Sequence, residues 1–136
     1  MLGRNSYTTE ELAAGQAAVK QQLAAYKKIA KAAGTDKALA ELEPVFFNNM
    51  VLVLDRYYVH RIRATSGKDT NPLTEVELIV ESLLSNDGVM RTNNVIKYVP
   101  ERSVLKLEAG AKIRLTQADF ERLAKAFFAE LEAKFL

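Results

Sequence analysis

Asn49, Arg56, His60 and Arg63 are separated by seven, four and three residues, so a helix through them carries all four on one stripe. Lys68 and Asp69 follow in a polar stretch, GKDTN, at 67–71. Such residues suit an anionic ligand. Arginine pairs bidentately with a phosphate or carboxylate, and histidine can donate a proton near neutral pH. These residues form a candidate ligand-binding patch to which no catalytic residue and no metal is assigned. The competing reading is structural: the stripe is the solvent-facing end of an otherwise buried helix, and Arg56 and Arg63 pair with acids of the next helix. Asn48 and Asn49 also interrupt the apolar run PVFFNNMVLVL. A buried amide needs hydrogen-bond partners. The two bond to backbone near Pro44, line a pocket, or sit at a homodimer interface, and Asp55 shares the face of Asn48.

Other chemistries are excluded by composition. The chain has no cysteine and one histidine, which removes disulfides, thiol nucleophiles and ordinary zinc or His-rich di-iron sites, and implies no cofactor. SGKDT at 66–70 departs from a phosphate-binding loop, with Ile62 where the leading glycine belongs and Asp69 in place of Ser or Thr. A Ser-His-Asp triad would need His60, and no G-x-S-x-G turn presents a serine. Glu75, Glu77 and Glu81 read as the solvated face of a helix. Composition leaves paired-carboxylate hydrolysis open, with that solvated face weighing against it.

The elements that position these residues are legible from period and punctuation. Thr8 caps a first helix with Glu11 as its reciprocal partner and Tyr7–Leu12 as a staple. Leu12, Val19, Leu23, Tyr26 and Ala30 form its buried face, and Gly34 ends it. Thr35 or Asp36 caps a short helix to Glu43, with a break or kink at Pro44. A central helix from Pro44 to Arg63 is apolar around much of its circumference and belongs inside the bundle. Asn71-Pro72 starts a helix to about Asn86, with Leu73, Val76, Ile79, Val80 and Leu83 inward. Residues 89–102 are irregular or form two short strands around Thr92-Asn93-Asn94. Leu105 and Leu107, then Ile113 and Leu115, alternate with charged residues and predict a β-hairpin. An Ala109-Gly110-Ala111 loop opposes Leu107 to Ile113 and Leu105 to Leu115. Thr116 caps the last helix, with Asp119 as its partner. Its stripe is Phe120, Leu123, Ala124, Phe127, Leu131 and Phe135, and a Glu121–Lys125 pair faces outward.

The sum is a single domain, 1–136: a mainly α (α+β) four- to five-helix bundle around the buried helix 44–63, with a small hairpin at 103–115 before the C-terminal helix. At 136 residues such a domain buries roughly two-thirds of its unfolded surface without staples.

Net charge is +2, which does not point to nucleic acid. Its distribution is uneven. Residues 64–87 hold one base and five acids, and 88–115 six bases and two acids, consistent with two segments lying side by side or facing water. A nucleic-acid surface would use Arg91, Lys97, Arg102, Lys106, Lys112 and Arg114, with Tyr98 stacking, but no binding motif accompanies them. The beginning of the chain has no apolar core of a signal peptide, and the longest apolar run is too short and polar to span a bilayer.

GKDTNPLTEVE at 67–77 and ERSVLKLEAGAKIRLTQADFERL at 101–123 resemble segments of an uncharacterised bacterial, actinobacterial-type protein family. The resemblance covers roughly residues 45–136 and implies no activity. The leading expectation is a non-enzymatic cytoplasmic protein acting through self-association, as a homodimer, or through a protein partner. The adjacent Phe127 and Phe128 motivate it, since both cannot face the core equally. The alternative is a small-anion-binding protein or enzyme using Arg56, His60, Arg63 and Lys68.

Overall fold

The computed structural model describes residues 8–33, 36–59 and 67–135. Four α-helices lie among them: α1 (Thr9–Ala33), α2 (Lys37–Leu54), α3 (Pro72–Ser85) and α4 (Gln117–Phe135). The cap of α1 forms as the sequence predicts. Thr8 Oγ1 accepts from the Glu11 N–H and Glu11 Oε1 from the Thr8 N–H, both at 3.1 Å. Leu12, Val19 and Tyr26 are buried, with Leu23 and Ala30 packed against the core. Tyr7 and Gly34 lie outside the described residues.

Asp36 caps α2, its Oδ1 accepting from the N–H groups of Ala38 (2.7 Å) and Leu39 (3.4 Å). Of the break or kink expected at Pro44, the break is not found: α2 runs through the proline. Proline leaves the carbonyl four residues back without a donor. Here that residue is Ala40, which is exposed, so water can reach the freed carbonyl and the helix continues. At its far end α2 widens into a π-helical turn, Asp55–Val59. The turn delivers Tyr58 into the flank of α1, where its hydroxyl donates to the Leu12 carbonyl at 3.0 Å. Only glycine fits opposite: a Cβ on Gly15 would overlap the Tyr58 hydroxyl.

Among the described residues the most enclosed helix is α3, not the part of segment 44–63 up to residue 59. Asn71 caps it, accepting from Leu73 N (2.9 Å) and Thr74 N (3.1 Å), and Thr74 Oγ1 accepts from the Asn71 N–H (3.0 Å). Every residue from Leu73 to Val80 is buried. α2 does reach all three other helices, but it leaves Val45 64% exposed. The glutamates of α3 therefore do not form a solvated face. Glu75 is 1% and Glu77 7% exposed, and Glu81 is half-buried. For Glu75 and Glu81 the cause is the segment that follows, which folds back over them. Asn93 Nδ2 donates to Glu81 Oε2 (2.9 Å), and the N–H groups of Val104 and Leu105 donate to the two oxygens of Glu75 (2.8 and 2.9 Å). The acidic and basic segments lie side by side.

Residues 89–116 hold no strand. They comprise an Asn93 turn, a 3-10 turn at Pro100–Arg102 and one antiparallel bridge, Val89 to Lys112. The hairpin at 103–115 does not form, for reasons visible in its backbone groups. The N–H groups of Val104 and Leu105 are taken by Glu75, and the Leu107 carbonyl accepts from the Tyr98 hydroxyl (2.7 Å). Lys106, at φ 54°, stands in the left-handed region and interrupts the extended run. The second arm pairs elsewhere: Met90 N–H donates to the Ala111 carbonyl and Ile113 N–H to that of Gly88, both at 2.8 Å. Its next groups belong to Asn48, whose Nδ2 donates to the Ile113 carbonyl (2.9 Å) while its Oδ1 accepts from the Leu115 N–H (3.1 Å). Alternation survives as burial, with Ile113 and Leu115 inside and Lys112 and Arg114 outside.

Thr116 and Asp119 cap α4 reciprocally at 3.1 Å. Phe120, Leu123, Ala124, Phe127 and Leu131 are buried as predicted, and the side chain of Phe135 lies outside those described. Aromatic rings join the helices: Phe47 meets Phe120 with centroids 5.7 Å apart, and Tyr58 meets Phe127 at 5.7 Å. Among the described residues no helix is long and apolar enough to cross a membrane.

Candidate functional site

The predicted anion patch is divided. Asn49 on α2 and Arg56 on the π-helical turn are both exposed, and they share one shallow depression of about 290 Å³ with Gln22 of α1. Arg56 forms no ion pair among the described residues. Lys68 lines a different cleft, of about 430 Å³, with Glu77, Glu81, Asn93 and Ile96. Among the described residues that cleft sets two glutamates beside Lys68. Asp69 serves the loop itself: its Oδ1 accepts from Asn71 Nδ2 (3.1 Å) and its carbonyl from Thr74 Oγ1 (2.6 Å). Thr70 then stitches the loop to the following segment, accepting from Val99 N–H and donating to the Lys97 carbonyl at 2.7 and 2.8 Å. His60 and Arg63 lie outside the described residues.

The proposed nucleic-acid residues do not assemble as the hairpin register required. With no hairpin, Lys106 and Arg114 are not cross-strand partners. Lys112 Nζ donates to the Asp87 carbonyl (2.8 Å), and the Tyr98 hydroxyl is engaged inside the fold. Burial is also the first reason that this hydroxyl titrates above the ordinary tyrosine range, with the charges of Glu75 and Glu108 acting in the same sense. The Glu75 carboxyl is likewise raised, by burial against the opposing pull of two backbone N–H groups and the Arg122 charge. It is an internal anchor, 1% exposed and bonded to two backbone N–H groups.

A concavity missed by the sequence reading lies between α1 and α4. Val19 and Leu23 form one side and Phe120, Ala124 and Phe128 the other, around about 400 Å³. Lys20 stands on the α1 rim and Lys125 on the α4 rim, both exposed. The expected Glu121–Lys125 pair is replaced across the helices. Glu121 Oε1 accepts from Lys27 Nζ (2.9 Å) and Oε2 from Gln117 Nε2 (3.1 Å). Those bonds, Lys27 first, hold the Glu121 carboxyl below its usual range. The signal for this groove was the Phe127–Phe128 doublet. Phe127 enters the core, whereas Phe128 is half-buried, stands perpendicular to the Tyr58 ring and lines the groove.

Among the described residues no three His, Cys, Asp or Glu side chains converge as metal ligands. Set against known proteins, the chain matches no family model, no curated protein and no solved structure.

Proposed function

We propose that this is a non-enzymatic cytoplasmic protein that works by association, and that the α1/α4 groove is its contact surface. The observation that carries the reading is the groove floor. Phe120, Phe128, Val19 and Leu23 from two helices converge on one apolar concavity, the kind of surface that receives side-chain anchors from a partner. A photo-crosslinking residue at Gln16, which lines the groove, tests it in living cells. A discrete adduct is expected there and not from the same residue at exposed Ser85. Equal labelling from both positions, or none from either, would remove the association reading.

A second reading rests on the shared depression of Gln22, Asn49 and Arg56, whose amides and guanidinium suit a small anion. Thermal-shift measurements against phosphorylated and carboxylated metabolites test it. Binding at a hundred times Kd adds about 2.7 kcal/mol, and Arg56→Ala should abolish the shift.

A further inference from the structure

We infer that the α1/α4 groove takes an acidic amphipathic helix from a partner protein, a statement that rests on the association reading and names its occupant. The first ground is shape. The lining positions on α1 are Gln16, Val19, Lys20 and Leu23, spaced i, i+3, i+4 and i+7, and those on α4 extend from Phe120 to Phe128. At 1.5 Å per residue each wall runs about two turns. A cleft walled by two helices offers ridges and no free strand edge. A third helix with apolar side chains at the same spacing fits between them.

Charge selects among helices. Lys20 and Lys125 flank the apolar floor on opposite walls. The one carboxylate of the lining, Glu121, is already held by Lys27 and Gln117. Beyond its first turn α1 carries Lys20, Lys27, Lys28 and Lys31 and no acid. Glutamates or aspartates beside the apolar stripe of an incoming helix would meet both rims, and lysines would be repelled. A second copy docked on this groove about a two-fold axis would set Lys20 and Lys125 against the same lysines. That disfavours self-association here.

The test uses two labelled synthetic helical peptides with one leucine stripe, flanked by glutamates in the first and by lysines in the second. Binding to the full chain is read by fluorescence anisotropy at low and high salt. The acidic peptide should bind about tenfold more tightly or better, equivalent to about 1.4 kcal/mol, and high salt should shrink the difference. Lys20→Glu with Lys125→Glu changes two exposed side chains, so the fold should persist by circular dichroism, and the preference should invert. Equal binding of both peptides, an unchanged preference in the charge-reversed protein, or no binding of either would overturn the inference. So would a wild-type dimer in light scattering that protects α1 and α4 from hydrogen exchange, or binding to anionic vesicles in preference to the acidic peptide. A crosslink from Gln16 that survives failure of the peptides would leave association standing and remove only the acidic helix.

Discussion

Asn48→Ala should destabilise the protein by about 2 kcal/mol, although the residue lies in no predicted site. Its amide spans the Ile113 carbonyl and the Leu115 N–H at 2.9 and 3.1 Å, occupying the place a neighbouring strand would take. Each such bond contributes about 0.5–1.5 kcal/mol net, so the pair contributes about 1–3 kcal/mol. The amide is half-buried, and water entering after truncation keeps the loss near the middle of that range. Against a total stability of about 5–15 kcal/mol the change is readily measured by urea unfolding followed by circular dichroism. Asn48→Asp sharpens the test. The carboxylate keeps an acceptor for the Leu115 N–H, but it has no donor and sets negative charge against the Ile113 carbonyl. At neutral pH it should be at least as harmful as alanine, and in acid the protonated carboxyl should recover part of the loss. Faster exchange of the Leu115 amide should accompany the alanine variant, which removes its acceptor. An alanine variant within about 0.5 kcal/mol of wild type, or an aspartate variant better than alanine at neutral pH, would refute the clamp. The extended arm would then be held by burial of Ile113 and Leu115 and by its backbone bonds to Gly88 and Met90.

Gly15→Ala, which in an exposed helix would gain up to about 1 kcal/mol, should here cost about 1–3 kcal/mol, as overpacking does. Tyr58→Phe in that background should recover part of it, since the hydroxyl meets the new Cβ most closely; a more stable alanine variant would count against the fit. The pKa of Glu75 is raised in the fold, so its contribution is fully present below the unfolded carboxylate value of about 4.3 and is lost as pH rises through the folded pKa. The stability of wild type minus that of Glu75→Gln should therefore fall from acid towards neutral pH, and a difference that rises would contradict the burial argument. Glu121 has the opposite sign: its depressed pKa gives stability present above the unfolded value and lost as pH falls through the folded one. Both partners are more than a third exposed, so Lys27→Met should cost at most about 0.5 kcal/mol, and a loss unaffected by high salt would point to packing of the lysine stem instead.

The starts of α1, α3 and α4 were readable because their chemistry is local. Thr8 with Glu11, Asn71 with Pro72, and Thr116 with Asp119 each close a turn within a few residues, and the buried stripe of α4 follows from period alone. What escaped depended on distant partners. Pro44 lowers the local preference for helix, and the packing of α2 against the other three helices, which no local signal reports, outweighs it. The glutamates of α3 read as exposed because nothing near them in sequence shows that residues 104 and 105 return to cover Glu75. Alternation at 105–115 reported correctly which side chains of the second arm face inward, yet it says nothing about which groups satisfy the backbone. Of the candidate patch, the joint position of Asn49 and Arg56 was readable from helical spacing, and the cleft chosen by Lys68 was not.

The same displaced partners explain why the chain carries polar residues where an ordinary bundle would be apolar. Residues 89–116 cross α2 and α3 without a strand of their own, and backbone groups buried there need partners. Asn48, Thr70, Glu75 and Ser82 provide them from the loop and helices, Ser82 Oγ accepting from the Arg91 N–H at 2.9 Å. Their polarity is therefore accounted for by the fold, and a functional argument drawn from buried Glu75 or from Asn48 would misread an anchor as a site. None of these four lines the α1/α4 groove. Phe128 also packs on Tyr58 and Phe127, whereas Lys125 has no comparable internal duty and stands exposed on the rim. Substitutions there should separate association from stability, whereas substitutions at the anchors should change both together.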